Sequence, residues 1–197
     1  MDRHQYGSCL NRTHDALGIR FPVSYVNRGV LYSLVDHQGV PVGGAIVVLE
    51  PPFRSLAAIP GVRTATRADA MQAGSVAEIN GLWLCDRTRG LCASFNLWTQ
   101  LLNKLLDTSC EQFLFTYDNA NKQMAGLMKW AQPEVLYSGR TRQLPGMKSA
   151  AEETIAAASR RIVDSMLRFL GNPRSTVEPI ATAQDHALRK HSLQRAA

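Results

Sequence analysis

Apolar positions along the chain fall into runs whose period changes near the middle. "VLYSLVD" (30–36) and "VPVGGAIVVLE" (40–50) are β-branched and aromatic runs separated by the turn signal "HQG", the mark of a β-hairpin. Gly43 and Gly44 inside the second run predict a bulge or a close backbone approach. "AEINGLWLCD" (77–86), apolar without a break from Leu82 to Cys85, predicts a central strand buried on both faces. Beyond it Phe95, Trp98, Leu101, Leu102 and Leu105 recur every three or four residues, the spacing of a helix laid on a sheet, with Ser94 as its expected N-cap. "EQFLFTY" then predicts a strand, "DNANKQMAGLMKW" a short helix and "PEVLYSGRTRQL" another strand. "SAAEETIAAASRRIVDSMLRFLG" (149–171) predicts the longest helix of the chain, with Gly171-Asn172-Pro173 as its stop. Alternation of strand and helix predicts an α/β or α+β layered fold.

The flanks are less patterned. "HDALGIRFPVSY" (14–25) predicts a short helix closed by Gly18, and residues 51–76, with three prolines, predict a long connection holding a short helix. With 197 residues, 45% of them hydrophobic, the chain makes one sizeable core: a single domain over 1–171 and a basic, flexible tail over 172–197. The polar amino terminus and the lack of a long uncharged apolar window lead us to expect a soluble, cytoplasmic protein. A formal net charge of +6 points to an anionic partner, such as a nucleotide, a nucleic acid or an acidic carrier protein.

Chemistry-bearing residues are few. Cys9, Cys85, Cys92 and Cys110 form no CxxC pair and have no histidines at zinc spacing, so neither a metal site nor a disulfide framework is expected. His4, His14, His37, His186 and His191 lie in the termini or the hairpin turn and are expected at the surface. Trp83, Trp98 and Trp130 are expected in the core or a pocket wall. The stretch "DRTRGLCASF" holds more: a buried strand, a turn with Arg87, Arg89 and Gly90, then a helix. Helix-start N–H groups lack internal partners, and a glycine lets an anion come close, so the turn either redirects the chain or holds a phosphate.

The element order and the segment "RTRGLC" resemble the GCN5-related N-acetyltransferase (GNAT) superfamily, whose signature is Gln or Arg, two residues, Gly, one residue, then Gly or Ala. Here Arg87 and Gly90 fit, and Cys92 departs at the last place. "VLYSLVDHQGVPVGGAIVV" is similar to the second and third strands of that family, and "YDNANKQMAGLMKW" to its Asn-led helix, so the likeness covers about residues 29–142. The resemblance implies a mixed, largely antiparallel sheet flanked by helices, with an added C-terminal helix. It implies an N-acyltransferase moving an acyl group from a coenzyme A thioester, or from the phosphopantetheine of an acyl carrier protein, directly to a small amine, with no metal. Residues implied for donor binding are Leu84, Cys85, Arg87, Thr88, Arg89, Gly90, Leu91, Cys92, Ala93 and Asn121. Glu78 is implied as the carboxylate base. Met128 falls where many members carry a tyrosine acid, so Tyr117 or Tyr137 is expected to serve instead. The 51–76 connection is similar to that of the autoinducer-synthase and N-acyl amino acid synthase branch, where Arg54, Arg63 and Arg67 would suit an acidic carrier. Two alternatives remain: a phage-type enzyme of this fold that modifies DNA bases, with Arg140 and Arg142 on phosphates, and a non-catalytic binding module.

Overall fold

The structure is a computed structural model, and it describes residues 6–11, 19–61, 71, 75–85 and 91–170. Residues 6–11 are helical. There follow α1 (Val23–Arg28), β1 (Val30–Val35), β2 (Pro41–Val48), α2 (Arg54–Ala57), β3 (Val76–Leu84), α3 (Leu91–Leu106), β4 (Gln112–Asp118), α4 (Lys122–Ala131), β5 (Glu134–Arg140), β6 (Glu152–Ser159) and α5 (Arg160–Phe169). The strands form one sheet in the order β1-β2-β3-β4-β6-β5. Every pairing is antiparallel except β3 with β4.

The hairpin forms where its alternation and turn residues place it. Gly39 takes a φ of 75° in the turn, where Asp36 Oδ1 accepts from the N–H groups of Gln38 and Val40. Gly43 and Gly44 do permit close approach: a Cβ on Gly43 would lie 2.6 Å from Leu84 Cδ2, and one on Gly44 would run into the Tyr32 carbonyl.

Each face of the sheet carries its own core. On one, α3, α5 and α4 cover Ala45, Val47, Ala77, Ile79, Phe113 and Ala158. On the other, residues 6–11, α1 and α2 cover Ile46, Val48, Val76, Leu114 and Ile155. Met128 is buried in the helix-covered core rather than in the opposite face.

Two expectations are corrected. Ser94 is not an N-cap: α3 already runs through Leu91, Cys92 and Ala93, so Ser94 lies inside its first turns. The short helix expected to close at Gly18 lies outside the described residues, and the next helix in the chain is Val23–Arg28, between Pro22 and Gly29. Most consequentially, 149–171 is not one helix, since its first half is β6 and only Arg160–Phe169 is helical. Glu and Ala favour helices locally, but β6 lies between β4 and β5 and is buried on both faces, and that sheet pairing overrides the propensity. Ser159 marks the switch, its hydroxyl capping α5 by accepting from the Ile162 N–H. The 172–197 tail lies outside the described residues.

Candidate active site

The parallel β3 and β4 strands are in register over only four pairs, from Val76↔Gln112 to Ile79↔Phe115. Beyond Ile79, β3 stays with β2 as far as Leu84; beyond Phe115, β4 stays with β6 as far as Asp118. The sheet therefore splays open in its middle. A bulge lies at the same point: between Gly44↔Trp83 and Ile46↔Asn80, three steps along β3 oppose two along β2. Gly81 takes a φ of 56° there, in the left-handed region that favours glycine. The extra residue changes which face each side chain meets. Ala77 and Ile79 point to the helix-covered face, as does Leu82, whereas Val76 and Trp83 share the other.

Glu78 sits on the face away from α3 and is fully buried. Its Oε2 accepts from the Tyr25 hydroxyl at 2.6 Å and from the Arg54 N–H at 3.0 Å, and its Oε1 accepts from the Ser55 N–H. The reason is local. Helix α2 starts at Phe53, which offers no side-chain cap, so the carboxylate of a distant strand takes its first N–H groups. Burial first, and then the charge of Glu78, push the Tyr25 phenol above its ordinary pKa, so it stays protonated and donates. Ser55 Oγ in turn accepts from the Thr116 hydroxyl at 2.9 Å. Thr116 is the first β4 residue past the last pair with β3.

Arg54 turns inward above this cluster. Its guanidinium carbon lies 5.5 Å from the centre of the Phe21 ring and 6.0 Å from that of Tyr25. Burial pulls its pKa below the usual arginine value, opposed by the charges of Tyr25, Glu78 and Glu153. It is thus no solvated loop residue facing a carrier, as the basic 51–76 segment led us to expect. Arg63 and Arg67 lie outside the described residues. Glu153 on β6 stands opposite Asp118 on β4, and its Oε2 accepts from the Thr141 hydroxyl at 3.1 Å. Burial, the largest cause, raises its pKa; the Thr141 hydrogen bond opposes this and the Asp118 charge adds to it.

The other expected residues are spread around the splay. The Cys85 N–H donates to the Val42 carbonyl at 2.8 Å, toward β2. The Leu84 carbonyl belongs to the same trans peptide and points the opposite way, to the open side. Arg87, Thr88, Arg89 and Gly90 lie outside the described residues. Leu91, Cys92 and Ala93 open α3. Asn121 caps α4, its side chain accepting from the Met124 N–H at 3.1 Å. Tyr117 points to the helix-covered face and stacks on Phe115, with centroids 6.3 Å apart. Tyr137 lies on β5, three strands from β3, about 14 Å by ordinary strand spacing. Its hydroxyl donates to the Arg140 carbonyl at 2.7 Å. Neither tyrosine touches Glu78; the tyrosine that does is Tyr25. Arg140 and Arg142 are exposed, beside the far edge of the sheet. Among the described residues, no group of three His, Cys, Asp or Glu is placed to hold a metal ion, and no helix is long and apolar enough to cross a membrane.

No protein-family model matches the chain, and no curated protein matches it. Solved structures do. FeeM, an N-acyl amino acid synthase from uncultured soil microbes, superposes with a TM-score of 0.62 at 12% identity, over 83% of this chain and 89% of that one. BjaI, a CoA-dependent acyl-homoserine lactone synthase, gives 0.55 at 15% identity over 95% and 93%. A GCN5-related N-acetyltransferase from Brucella melitensis gives 0.50 at 10% identity over 81% and 66%. The chain therefore has the fold of the GCN5-related acyltransferases, in a form similar to that of FeeM and BjaI.

Proposed function

We propose that the protein is an acyltransferase that moves an acyl group from a coenzyme A thioester to an amine. The observation that carries this reading is the splay: β3 and β4 part after four register pairs, with the Leu84 carbonyl on the open side and α3 beginning at Leu91. An extended pantetheine arm fits such an opening, because it carries amides that pair with a strand edge. Its pyrophosphate then falls to the 86–93 segment at the start of α3. The neighbouring structures FeeM and BjaI are acyl-transferring synthases by name, and BjaI is described as CoA-dependent, which agrees with this donor.

In this reading the amine attacks the thioester carbonyl, a C–N bond forms and the C–S bond breaks. Glu78 takes the amine proton. A carboxylate has about four acceptor sites; Tyr25, Arg54 and Ser55 fill three, fixing the group while one remains. The departing thiolate is protonated by a neutral acid, and Tyr117 is favoured over Tyr137 for that task. Tyr117 lies on β4 beyond the last β3 pair, whereas the Tyr137 hydroxyl is already committed to Arg140 on the edge strand.

The test is thermal unfolding with coenzyme A, acetyl-CoA, octanoyl-CoA and an acylated carrier protein. Stabilisation by about 2.7 kcal/mol is expected for a CoA ligand at a hundred times its Kd. A shift with the carrier alone would move the donor assignment to the carrier, and no shift with any of the four would overturn the reading.

A further inference from the structure

Among the described residues, Arg54 is a cation without an ion pair in a site rich in acceptors. Its backbone N–H is held by Glu78 at 3.0 Å, which fixes where its side chain begins. Its guanidinium lies over the Phe21 and Tyr25 rings, themselves stacked with centroids 5.8 Å apart. Yet its Nη2 is buried with no hydrogen-bond partner. Glu78 and Glu153 are close enough for their charges to act on it, but no ion pair joins either of them to it. Glu78 is held by the Tyr25 hydroxyl and by the backbone N–H groups of Arg54 and Ser55, and Glu153 accepts from Thr141.

A buried N–H left without an acceptor is costly, the more so on a charged group. A planar guanidinium is also the side chain best matched to a carboxylate, which takes two of its N–H groups in parallel. The aromatic rings hold the plane in place in advance, so little ordering remains to be done when the anion arrives. We propose that Arg54 recognises the carboxylate of the acceptor, which makes the acceptor an amine that also bears a carboxylate, of the α-amino acid class. This rests on the acyl-transfer reading. An acceptor anchored by its carboxylate on Arg54 keeps its amine on the face of the sheet that carries Glu78, with Glu153 on the same face favouring a cationic group.

The experiment compares two acceptor pools with octanoyl-CoA and acetyl-CoA: the twenty free amino acids and their carboxamides, which keep the amine and lose the anion. Products are read by mass spectrometry, and kcat/KM is then measured on the best acid and its own amide. The wild type should favour the acid by about 100-fold, in line with the loss of a charged, bidentate partner. In Arg54→Met, which keeps an apolar stem over the rings, this preference should shrink to less than about tenfold through KM, with Arg54→Lys between the two. Ligand-free thermal unfolding of both variants separates a folding defect from a binding one, and Arg54→Lys supplies the test if Arg54→Met does not fold.

Equal use of acids and amides by the wild type, or an unchanged preference in the variants, would overturn the proposal. So would a failure to acylate either pool by a protein that CoA thioesters stabilise. If no thioester or carrier stabilises the protein, the acyl-transfer reading itself falls and takes this one with it.

Discussion

The two faces of the sheet are built from the same strands and carry different things. On the helix-covered face the side chains of β2, β3, β4 and β6 are mostly apolar, including Val47, Ile79, Phe113 and Ala158 under α3 and α5, with Tyr117 and Thr154 as polar groups toward the ends of β4 and β6. On the opposite face the same strands also bring forward Ile46, Leu114 and Ile155, but among them stand Glu78, Thr116 and Glu153, with Tyr25, Arg54 and Ser55 above. The polar groups gather where β3 and β4 separate. Apart from Tyr117 at its open end, the helix-covered face is a foundation that excludes water; the other spends part of its area on holding hydrogen-bonding groups in fixed positions. Strand alternation lets β3 serve both without compromise, since Ile79 and Glu78 are neighbours in sequence and opposed in direction.

The largest effect that would test this division is at Glu78. Glu78→Gln keeps the size of the side chain but replaces one acceptor by a donor amid three donors. Acyl transfer should fall by about 100-fold or more, the usual reach of a general base, with the fold retained by circular dichroism. Full turnover in this variant would remove Glu78 as base and leave it as the cap of α2.

Phe113→Ala makes the complementary cut on the helix-covered face. Phe113 is fully buried there, so its truncation should cost about 3–5 kcal/mol in chemical unfolding. If the faces divide the labour as described, the fraction that stays folded should turn over substrate at the unaltered kcat. A fall in kcat as large as that of Glu78→Gln would break the distinction.

Much of this was legible in the sequence, and the remainder was not for identifiable reasons. The hairpin, β3, α3, β4 and α4 follow from side-chain period and turn residues, all local signals. Glu78 could be singled out through the resemblance to the acyltransferase family, which implies a carboxylate at that place in the strand. Its partners could not: Tyr25 is 53 residues away and Ser55 is 23 away in sequence, and only folding joins them. Glu153 escaped because "EETIAAAS" looks helical residue by residue, and a strand buried on both faces has no alternation to betray it. Arg54 was visible as a charge in a basic loop; that it faces inward over two rings depends on α1 packing against α2.

Gly81 gives a smaller and more pointed test. At a φ of 56°, with Leu10 and Ile46 carbons 3.2 and 3.3 Å from where a Cβ would lie, Gly81→Ala should cost about 1–2 kcal/mol from backbone conformation alone. The more telling readout is position. The bulge puts Trp83 rather than Leu82 on the Glu78 face, so a variant that relieves strain by losing the bulge would exchange the two. Trp83 is buried at 5% exposure; its fluorescence should shift to the red and CoA stabilisation should weaken. An unchanged emission together with undiminished CoA stabilisation would show that the bulge is incidental to the splay.

The gentlest probe is pH, acting on Glu153. Burial raises the pKa of its folded-state carboxyl above the ordinary 4.5, so between 4.5 and that higher value the folded protein binds more protons than the unfolded chain. Stability should therefore fall through this window as pH rises, and level off once the folded carboxyl has ionised. Glu153→Gln does not titrate, so the variant should gain on the wild type from pH 4 toward pH 7, by unfolding midpoints measured in parallel. A gap between them that does not move with pH would remove Glu153 as a strained carboxylate. Arg54 opposes the rise, so in the Arg54→Met background the same window should widen and the fall should deepen. That coupling belongs to the polar face alone: Phe113→Ala, on the other side of the sheet, should leave the Glu153 window where it was.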